Sequence, residues 1–222
     1  MLERILEPEV MDTAQEAHDY DTMDHSAVNQ RFVADLRQVG FAGRILDVGT
    51  GTALIPIELL RQCPDARVVA IDLAAEMLTL GQRNLEQAGL AHAITLERVN
   101  AREMPYADAS FGAVISNSII HHIPQPELVL REIARVVQPG GRIFVRDLMR
   151  PHDAVTLQHL VDLHAAGATD NQRRLFAESL HAALTLDEVR SMVAELGYAP
   201  DTVHATSDRH WTWSATRPME QE

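Results

Sequence analysis

The spacing of hydrophobic residues along this chain alternates between a strand-like and a helix-like pattern. Short runs of β-branched residues predict strands, and apolar residues spaced three or four apart predict the helices between them. Because strands and helices take turns, the pattern predicts an α/β fold with a doubly wound, mostly parallel sheet. The first five strands are expected at residues 45–48, 66–72, 93–99, 112–117 and 142–148.

The end of the chain departs from this alternation. Two consecutive helices are predicted between residues 151 and 184, which makes that stretch a helical insertion after the fifth strand. Two last strands, 201–206 and 210–216, are separated by a short turn and predict an antiparallel hairpin. Five helices are predicted at about 12–21, 26–39, 75–88, 152–166 and 171–183, and three more begin near Thr52, Pro126 and Thr185.

The composition narrows the possible partners and location. The chain has 222 residues and a formal net charge of −13, which argues against nucleic acid and against an anionic membrane surface as partners. No apolar run approaches the roughly 18 residues of a spanning helix, and the acidic, mixed N-terminus is unlike a secretory signal. Cys63 is the only cysteine, so we expect no intrachain disulfide and a reducing, cytoplasmic location.

Candidate chemistry begins where the first strand ends. Asp47 is followed by Gly49 and Gly51, and a helix starts just after them. A glycine turn between strand and helix lets a ligand approach bare backbone, although an ordinary βα turn fits the glycine pair equally well. The third glycine of a dinucleotide fingerprint and the lysine of a phosphate-binding loop are absent. The carboxylate of Asp47 favours a ligand that carries a positive group.

Four segments together resemble one known family. Residues 47–53 resemble motif I of the class I S-adenosylmethionine-dependent methyltransferases, with Ala53 in the slot of the third glycine. The loop 100–111 resembles the segment after the family's third strand, although Gly112 stands where the family has an aspartate. The pair His121-His122 resembles its element after the fourth strand, and residues 139–141 (Pro-Gly-Gly) resemble its entry to the fifth.

The resemblance implies S-adenosylmethionine as cofactor and a seven-stranded, Rossmann-like sheet with an antiparallel terminal hairpin. It implies a helical lid at residues 1–40 and a methyltransferase domain at 41–222, with the insertion at about 151–184. Asp72 would bind the ribose hydroxyls, or cap the following helix, and Asn100 with the Ala101 amide would bind adenine. The expected cofactor-binding residues are Tyr20, Asp47, Gly49, Thr50, Gly51, Asp72, Leu73, Met77, Asn100, Ala101, Asn117 and Ser118.

The methyl acceptor is expected to be a small molecule with an N, O, S or C nucleophile. His121, His122 and Asp147 stand at predicted strand tips and are the candidate bases, although both histidines could be structural and Asp147 could pair with Arg146 or Arg150. No metal is expected, because adjacent histidines in an extended loop point apart and no other ligand stands at a suitable spacing. A cofactor-binding protein without turnover and a nicotinamide-dependent oxidoreductase remain alternatives.

Overall fold

The computed structural model describes residues 2–7, 17, 21 and 25–219, and these contain seven strands and seven α-helices. The strands are β1 (Ile45–Val48), β2 (Val68–Asp72), β3 (Ile94–Arg98), β4 (Phe111–Asn117), β5 (Val137–Leu148), β6 (Val203–Ala205) and β7 (His210–Thr216). The helices are α1 (Ser26–Val39), α2 (Leu54–Gln62), α3 (Ala75–Ala88), α4 (Pro126–Val136), α5 (Ala154–His164), α6 (Asp170–Ala182) and α7 (Leu186–Glu195).

The strands form a single sheet in the order β3-β2-β1-β4-β5-β7-β6. Strands β1 to β5 are parallel, whereas β7 runs antiparallel to both β5 and β6. The prediction of a doubly wound, mostly parallel sheet with a terminal hairpin is therefore confirmed. The order reverses between β1 and β4, and in such sheets a ligand crevice opens at the carboxyl ends of the strands beside this switch point.

The core lies on both faces of the sheet, because successive side chains of a strand point in opposite directions. Leu46 packs on one face with helices α4 and α7, whereas Ile45 packs on the other with α1 and α2. Trp211 and Trp213 are fully buried in the first of these clusters, which confirms that they share a face. Helix α1 belongs to the core of the second face, so only the residues before it remain available for the predicted lid.

Most strand boundaries lie within two residues of the sequence prediction, and β5 and β6 differ from it most in length. Strand β5 begins at Val137, not at residue 142, because Val137 already pairs with Phe111 before a bulge shifts the register. Gly140 within this strand has a φ of 75°. Strand β6 is shortened to three residues, because the preceding residues Pro200–Thr202 form a 3-10 turn.

The predicted helical insertion is confirmed, and a short N-terminal segment lies against it. Helices α5 and α6 pack on each other around a small apolar cluster that includes Leu160 and Leu180. We call residues 2–7 the N-terminal strap. Its backbone amides donate from Leu2 to the carbonyl of His152 (2.8 Å) and from Ile5 to that of His181 (3.3 Å). The predicted helix at 12–21 falls outside the described residues except for positions 17 and 21.

Within residues 2–7, 17, 21 and 25–219, no helix has both the length and the apolarity that crossing a bilayer requires.

Candidate active site

The turn after β1 has the backbone shape that its glycines predict. Gly49 and Gly51 have φ angles of 75° and 55°, in the left-handed region that glycine adopts freely. The amides of Gly49 and Thr50 both donate to the carbonyl of Ile71 on β2, at 2.8 and 2.9 Å. Ala53 also has a positive φ, 63°, and precedes helix α2 directly. The third slot of the glycine motif therefore holds an alanine in a conformation that costs an L-residue about 1–2 kcal/mol.

A side chain of the protein, rather than a ligand, packs closely against Gly49. A Cβ atom built on Gly49 would lie 2.2 Å from Cγ2 of Ile119, which belongs to the loop after β4. Glycine is therefore needed at this position for packing between the two loops of the crevice, as well as for its φ angle.

Asp47 is a buried acid with an unsatisfied oxygen. Its side chain is 1% exposed, and its Oδ2 makes no hydrogen bond within the described part of the chain. Burial raises the pKa of Asp47 to about 7, and the neighbouring carboxylate of Asp72 adds to the shift. The hydroxyl of Thr50 is close enough to Asp47 to oppose this rise in pKa, but it forms no well-aligned hydrogen bond within the described residues. The buried hydroxyl of Thr52 has no hydrogen-bond partner there either. The unsatisfied carboxylate oxygen of Asp47 therefore suits a cation that enters from the crevice.

Asp72 connects the first two loops of the crevice. Its Oδ2 accepts from the amide of Gly51 at 2.8 Å, and its Oδ1 accepts from the amide of Ala74 at 2.9 Å, at the start of α3. Burial raises the pKa of Asp72, and these hydrogen bonds oppose the shift. The carboxylate thus holds the backbone of both loops, and each oxygen keeps a second lone pair that a ribose hydroxyl could use.

The remaining predicted cofactor residues lie along the same edge of the sheet. Leu73, Asn100, Ala101, Asn117 and Ser118 are half-buried. Ser118 has a φ of 58°, which turns the chain away from β4. The side-chain oxygen of Asn100 accepts from the amide of Arg102 at 3.0 Å, so the atom expected to bind adenine already has a partner.

Residues near the N-terminus approach this edge. Tyr20 lies outside the described residues, but the carboxylate of Asp21 accepts from Nδ2 of Asn84 on α3 at 2.8 Å. Met77 is buried in a small cluster with Ala17 and Ala74. Ala17 and Asp21 therefore both contact α3 or the turn before it.

His121 and Asp147 form a buried pair beside the crevice. Nδ1 of His121 lies 2.5 Å from Oδ1 of Asp147, and the side chains are 4% and 1% exposed. The amides of Ile120 and Leu148 donate to the same carboxylate at 2.5 and 2.6 Å. Burial alone would raise the pKa of Asp147, but the charge and hydrogen bond of His121 hold it below its usual value. Burial alone would lower the pKa of His121, but Asp147 and then Glu7 raise it.

The expectation that Asp147 pairs with Arg146 or Arg150 is wrong. Arg146 instead donates to Asp35 on α1 at 2.9 Å, and Arg150 donates to Glu188 on α7 at 2.6 Å. Consecutive residues of a strand point to opposite faces, so Arg146 could not share a face with Asp147.

The expectation that the two histidines point apart is also wrong. Residues Ile120–His122 form a 3-10 turn, and the two imidazole rings lie 4.0 Å apart between centroids with an interplanar angle of 36°. Oε1 of Glu7, on the N-terminal strap, lies 3.5 Å from Nε2 of His121 and 3.1 Å from Nδ1 of His122. Sequence reasoning missed Glu7, because no local pattern links it to histidines more than a hundred residues away.

Comparison with known proteins identifies the family. Residues 46–145 match the family model described as a methyltransferase domain. The chain is 29% identical over 178 residues to the 27-O-demethylrifamycin SV methyltransferase of Amycolatopsis mediterranei, across 78% of this chain and 61% of that protein. It is 28% identical over 178 residues to the ubiquinone/menaquinone biosynthesis C-methyltransferase UbiE of Hahella chejuensis, across 76% and 72%.

The matched residues are a class I S-adenosylmethionine-dependent methyltransferase domain. A solved structure of a methyltransferase of this kind from Aquifex aeolicus has the same fold, with a TM-score of 0.65 and 16% sequence identity over 92% of this chain and 98% of that one. The cofactor of this methyltransferase is S-adenosylmethionine. The matched region contains the glycine turn, Asp72 and the histidine pair but neither the N-terminal strap nor the helical insertion.

The residues of this methyltransferase fit a cationic cofactor. S-adenosylmethionine carries a sulfonium and an α-ammonium group, and Asp47 offers a buried carboxylate oxygen that has no partner among the described residues. Buried acids of this kind are stabilised by a paired cation. The left-handed turn at Gly49 and Gly51 exposes backbone beside that acid.

Proposed function

We propose that this methyltransferase passes the methyl group of S-adenosylmethionine to an N, O, S or C nucleophile of a small molecule. The observation that carries the proposal is the buried Asp47, whose unsatisfied oxygen adjoins the glycine turn at the switch point of the sheet. The net charge of −13 supports a small acceptor over nucleic acid and a cytoplasmic enzyme over one bound to anionic membranes. Both relatives compared above are named for small-molecule products or substrates.

The proposed cofactor contacts follow the edge of the sheet. Asp47 pairs with the α-ammonium group, and Asp72 uses its free lone pairs for the ribose hydroxyls. The amide of Ala101, beside Asn100, faces the adenine ring. The other proposed contacts come from Tyr20, Gly49, Thr50, Gly51, Leu73, Met77, Asn117 and Ser118.

In the proposed reaction, the protein mainly positions the methyl donor and the acceptor. The cofactor brings an already activated methyl group, so the protein must hold donor and acceptor in line and exclude water. Such alignment can contribute on the order of 7–11 kcal/mol to the lowering of a barrier. Where the acceptor has a proton to lose, we place its departure at the imidazoles of His121 and His122. Asp147 is a positioning residue in this scheme, because its oxygens are occupied by His121 and by backbone amides.

A binding experiment tests the cofactor assignment. Calorimetric titration should show binding of S-adenosylmethionine and none of NADH, because NADH brings an anionic pyrophosphate to the carboxylates of the crevice. Asp47→Asn should weaken binding at least tenfold, whereas Asp65→Asn, an equal change of charge at an exposed loop, should not. Binding of NADH in place of S-adenosylmethionine would support the oxidoreductase alternative.

A transfer experiment tests the acceptor class. The protein is incubated with S-adenosylmethionine labelled in its methyl group and with a cell extract divided by ultrafiltration into small and large molecules. Label should enter the small-molecule fraction only. Label that enters nucleic acid or protein contradicts the small acceptor, and tight cofactor binding without any transfer supports a binding protein that does not turn over.

A further inference from the structure

We propose that Glu7, His121 and His122 form a binding site for a zinc ion. One ligand atom from each of the three residues lies within 4.8 Å of the others. Oε1 of Glu7 is 3.5 Å from Nε2 of His121 and 3.1 Å from Nδ1 of His122. Zinc–ligand bonds of about 2.0–2.1 Å in a tetrahedral site place neighbouring ligand atoms about 3.3–3.4 Å apart. Two edges of the cluster already have nearly that length.

Two of the ligand atoms lack any other partner. Oε1 of Glu7 and Nδ1 of His122 are both buried, and neither makes a well-formed hydrogen bond within the described residues. Unpaired buried polar atoms are costly, and here they converge on one point from separate parts of the chain. A cation between them would satisfy both at once.

The third ligand is held in the orientation that a metal site requires. Asp147 binds Nδ1 of His121 at 2.5 Å, which leaves Nε2 of the same ring directed at Glu7. A carboxylate that holds the far nitrogen of a histidine ligand is the usual support of such a ligand. The amides of Ile120 and Leu148 in turn fix that carboxylate, so the ring has little freedom to turn away.

The N-terminal strap brings Glu7 to this site through contacts of its own. Arg4 donates from Nε to the carbonyl of Ala182 at 2.7 Å and from Nη2 to that of Ile123 at 3.0 Å. Ser179 approaches the other carboxylate oxygen of Glu7, Oε2, at 3.4 Å. Oε1 is therefore the oxygen left for the ion, and a bound ion would join the strap to the loop after β4.

Three protein ligands leave a fourth position open, as in catalytic rather than structural zinc sites. The side chains of His122 and Glu7 are 17% and 11% exposed, so the site lies near the surface although these two ligand atoms are buried. In a role that rests on the proposed function, an ion there would polarise the acceptor atom and ease the loss of its proton, in place of the proton acceptance proposed for the metal-free imidazoles.

Metal binding can be tested without cofactor or acceptor. The untagged full-length protein is stripped with a chelator, dialysed, and titrated with Zn²⁺ in competition with a chromophoric chelator. The wild type should take up one tightly bound equivalent and show a rise in melting temperature. His122→Ala and Glu7→Gln should each weaken that equivalent at least tenfold and lose the rise in melting temperature. Both side chains are partly accessible, so these variants should fold, which circular dichroism checks.

The control is a histidine–carboxylate pair elsewhere. His164 lies 2.7 Å from Asp208 at the surface, and His164→Ala should keep the tight equivalent. Absence of a tight equivalent in the wild type would overturn the proposal, as would its equal loss in His164→Ala. S-adenosylmethionine affinity is measured on the same samples, so a failure of the proposed function would be visible separately from a failure of the metal site.

Discussion

Ile119 packs on Gly49 so closely that a Cβ atom at position 49 would come within 2.2 Å of its Cγ2. The contact joins the turn after β1 to the loop after β4, the two segments that border the crevice at the switch point. The glycine motif of this methyltransferase is therefore a packing requirement between two loops as well as a surface for a ligand.

Gly49→Ala should destabilise the protein by about 2–5 kcal/mol. The left-handed φ of 75° costs an alanine about 1–2 kcal/mol, and overpacking against Ile119 adds about 1–3 kcal/mol. Ile119→Ala in the same chain removes the overpacking but not the backbone strain. Urea denaturation gives the free energy of unfolding of the two single variants and the double variant. The loss in the double variant should be smaller than the sum of the two single losses by about 1 kcal/mol or more. Simple additivity would show that the loops adjust independently.

Burial of Asp47 makes the stability of the ligand-free protein depend on pH. Its pKa is raised from 3.8 to about 7 in the folded state, so the folded state binds the proton more tightly than the unfolded state. The contribution to stability is complete below about pH 4 and is lost as pH rises to about 7, on the order of 4 kcal/mol at 1.36 kcal/mol per pKa unit.

Asp47→Asn should abolish this dependence. The variant should exceed the wild type in free energy of unfolding at pH 8, and the difference should shrink as the pH approaches 4. Denaturation curves at pH 5 and pH 8 give the two differences, and the exposed Asp65→Asn serves as the control. A difference that stays constant with pH would mean that Asp47 is ionised in the folded protein throughout this range.

Cofactor binding should release the proton of Asp47. Below pH 7 the acid is mostly protonated in the free protein, and pairing with the α-ammonium group favours its charged form. The affinity for S-adenosylmethionine should therefore rise by up to tenfold per pH unit between pH 5.5 and 7, below the range near 7.7–8.0 where an α-amino group itself titrates. Calorimetry in two buffers of different ionisation enthalpy measures the proton release directly.

A matched ligand separates this effect from others at the site. 5′-Methylthioadenosine keeps the adenosine of the cofactor but lacks the amino acid part. Its affinity should change little with pH over the same range, and so should that of S-adenosylmethionine for Asp47→Asn. An equal pH dependence for both ligands would assign the titration to the ribose side, beside Asp72.

Local sequence patterns predict the fold of this molecule but not the contacts between distant segments. Neighbouring residues are enough to predict the turn at Gly49 and Gly51 and the alternation of strands and helices. The partner of Asp147 is not, because its nearest charged neighbour, Arg146, points to the opposite face of β5. Glu7 reaches His121 and His122 across the fold from a strap without helical or strand periodicity, so only the tertiary structure shows the cluster.

Arg4 should decide whether the strap stays in place. Its guanidinium donates to the carbonyls of Ala182 and Ile123, and the strap amides of Leu2 and Ile5 donate to those of His152 and His181. Arg4→Ala removes the side-chain anchors, so the two amides should lose most of their protection from hydrogen exchange. Glu3→Ala changes the adjacent, exposed residue and should leave that protection intact. Hydrogen exchange monitored by NMR measures the protection of the two amides in both variants.

Unchanged protection in Arg4→Ala would mean that the backbone hydrogen bonds alone hold the strap. Equal loss in both variants would mean that any change in this segment frees it.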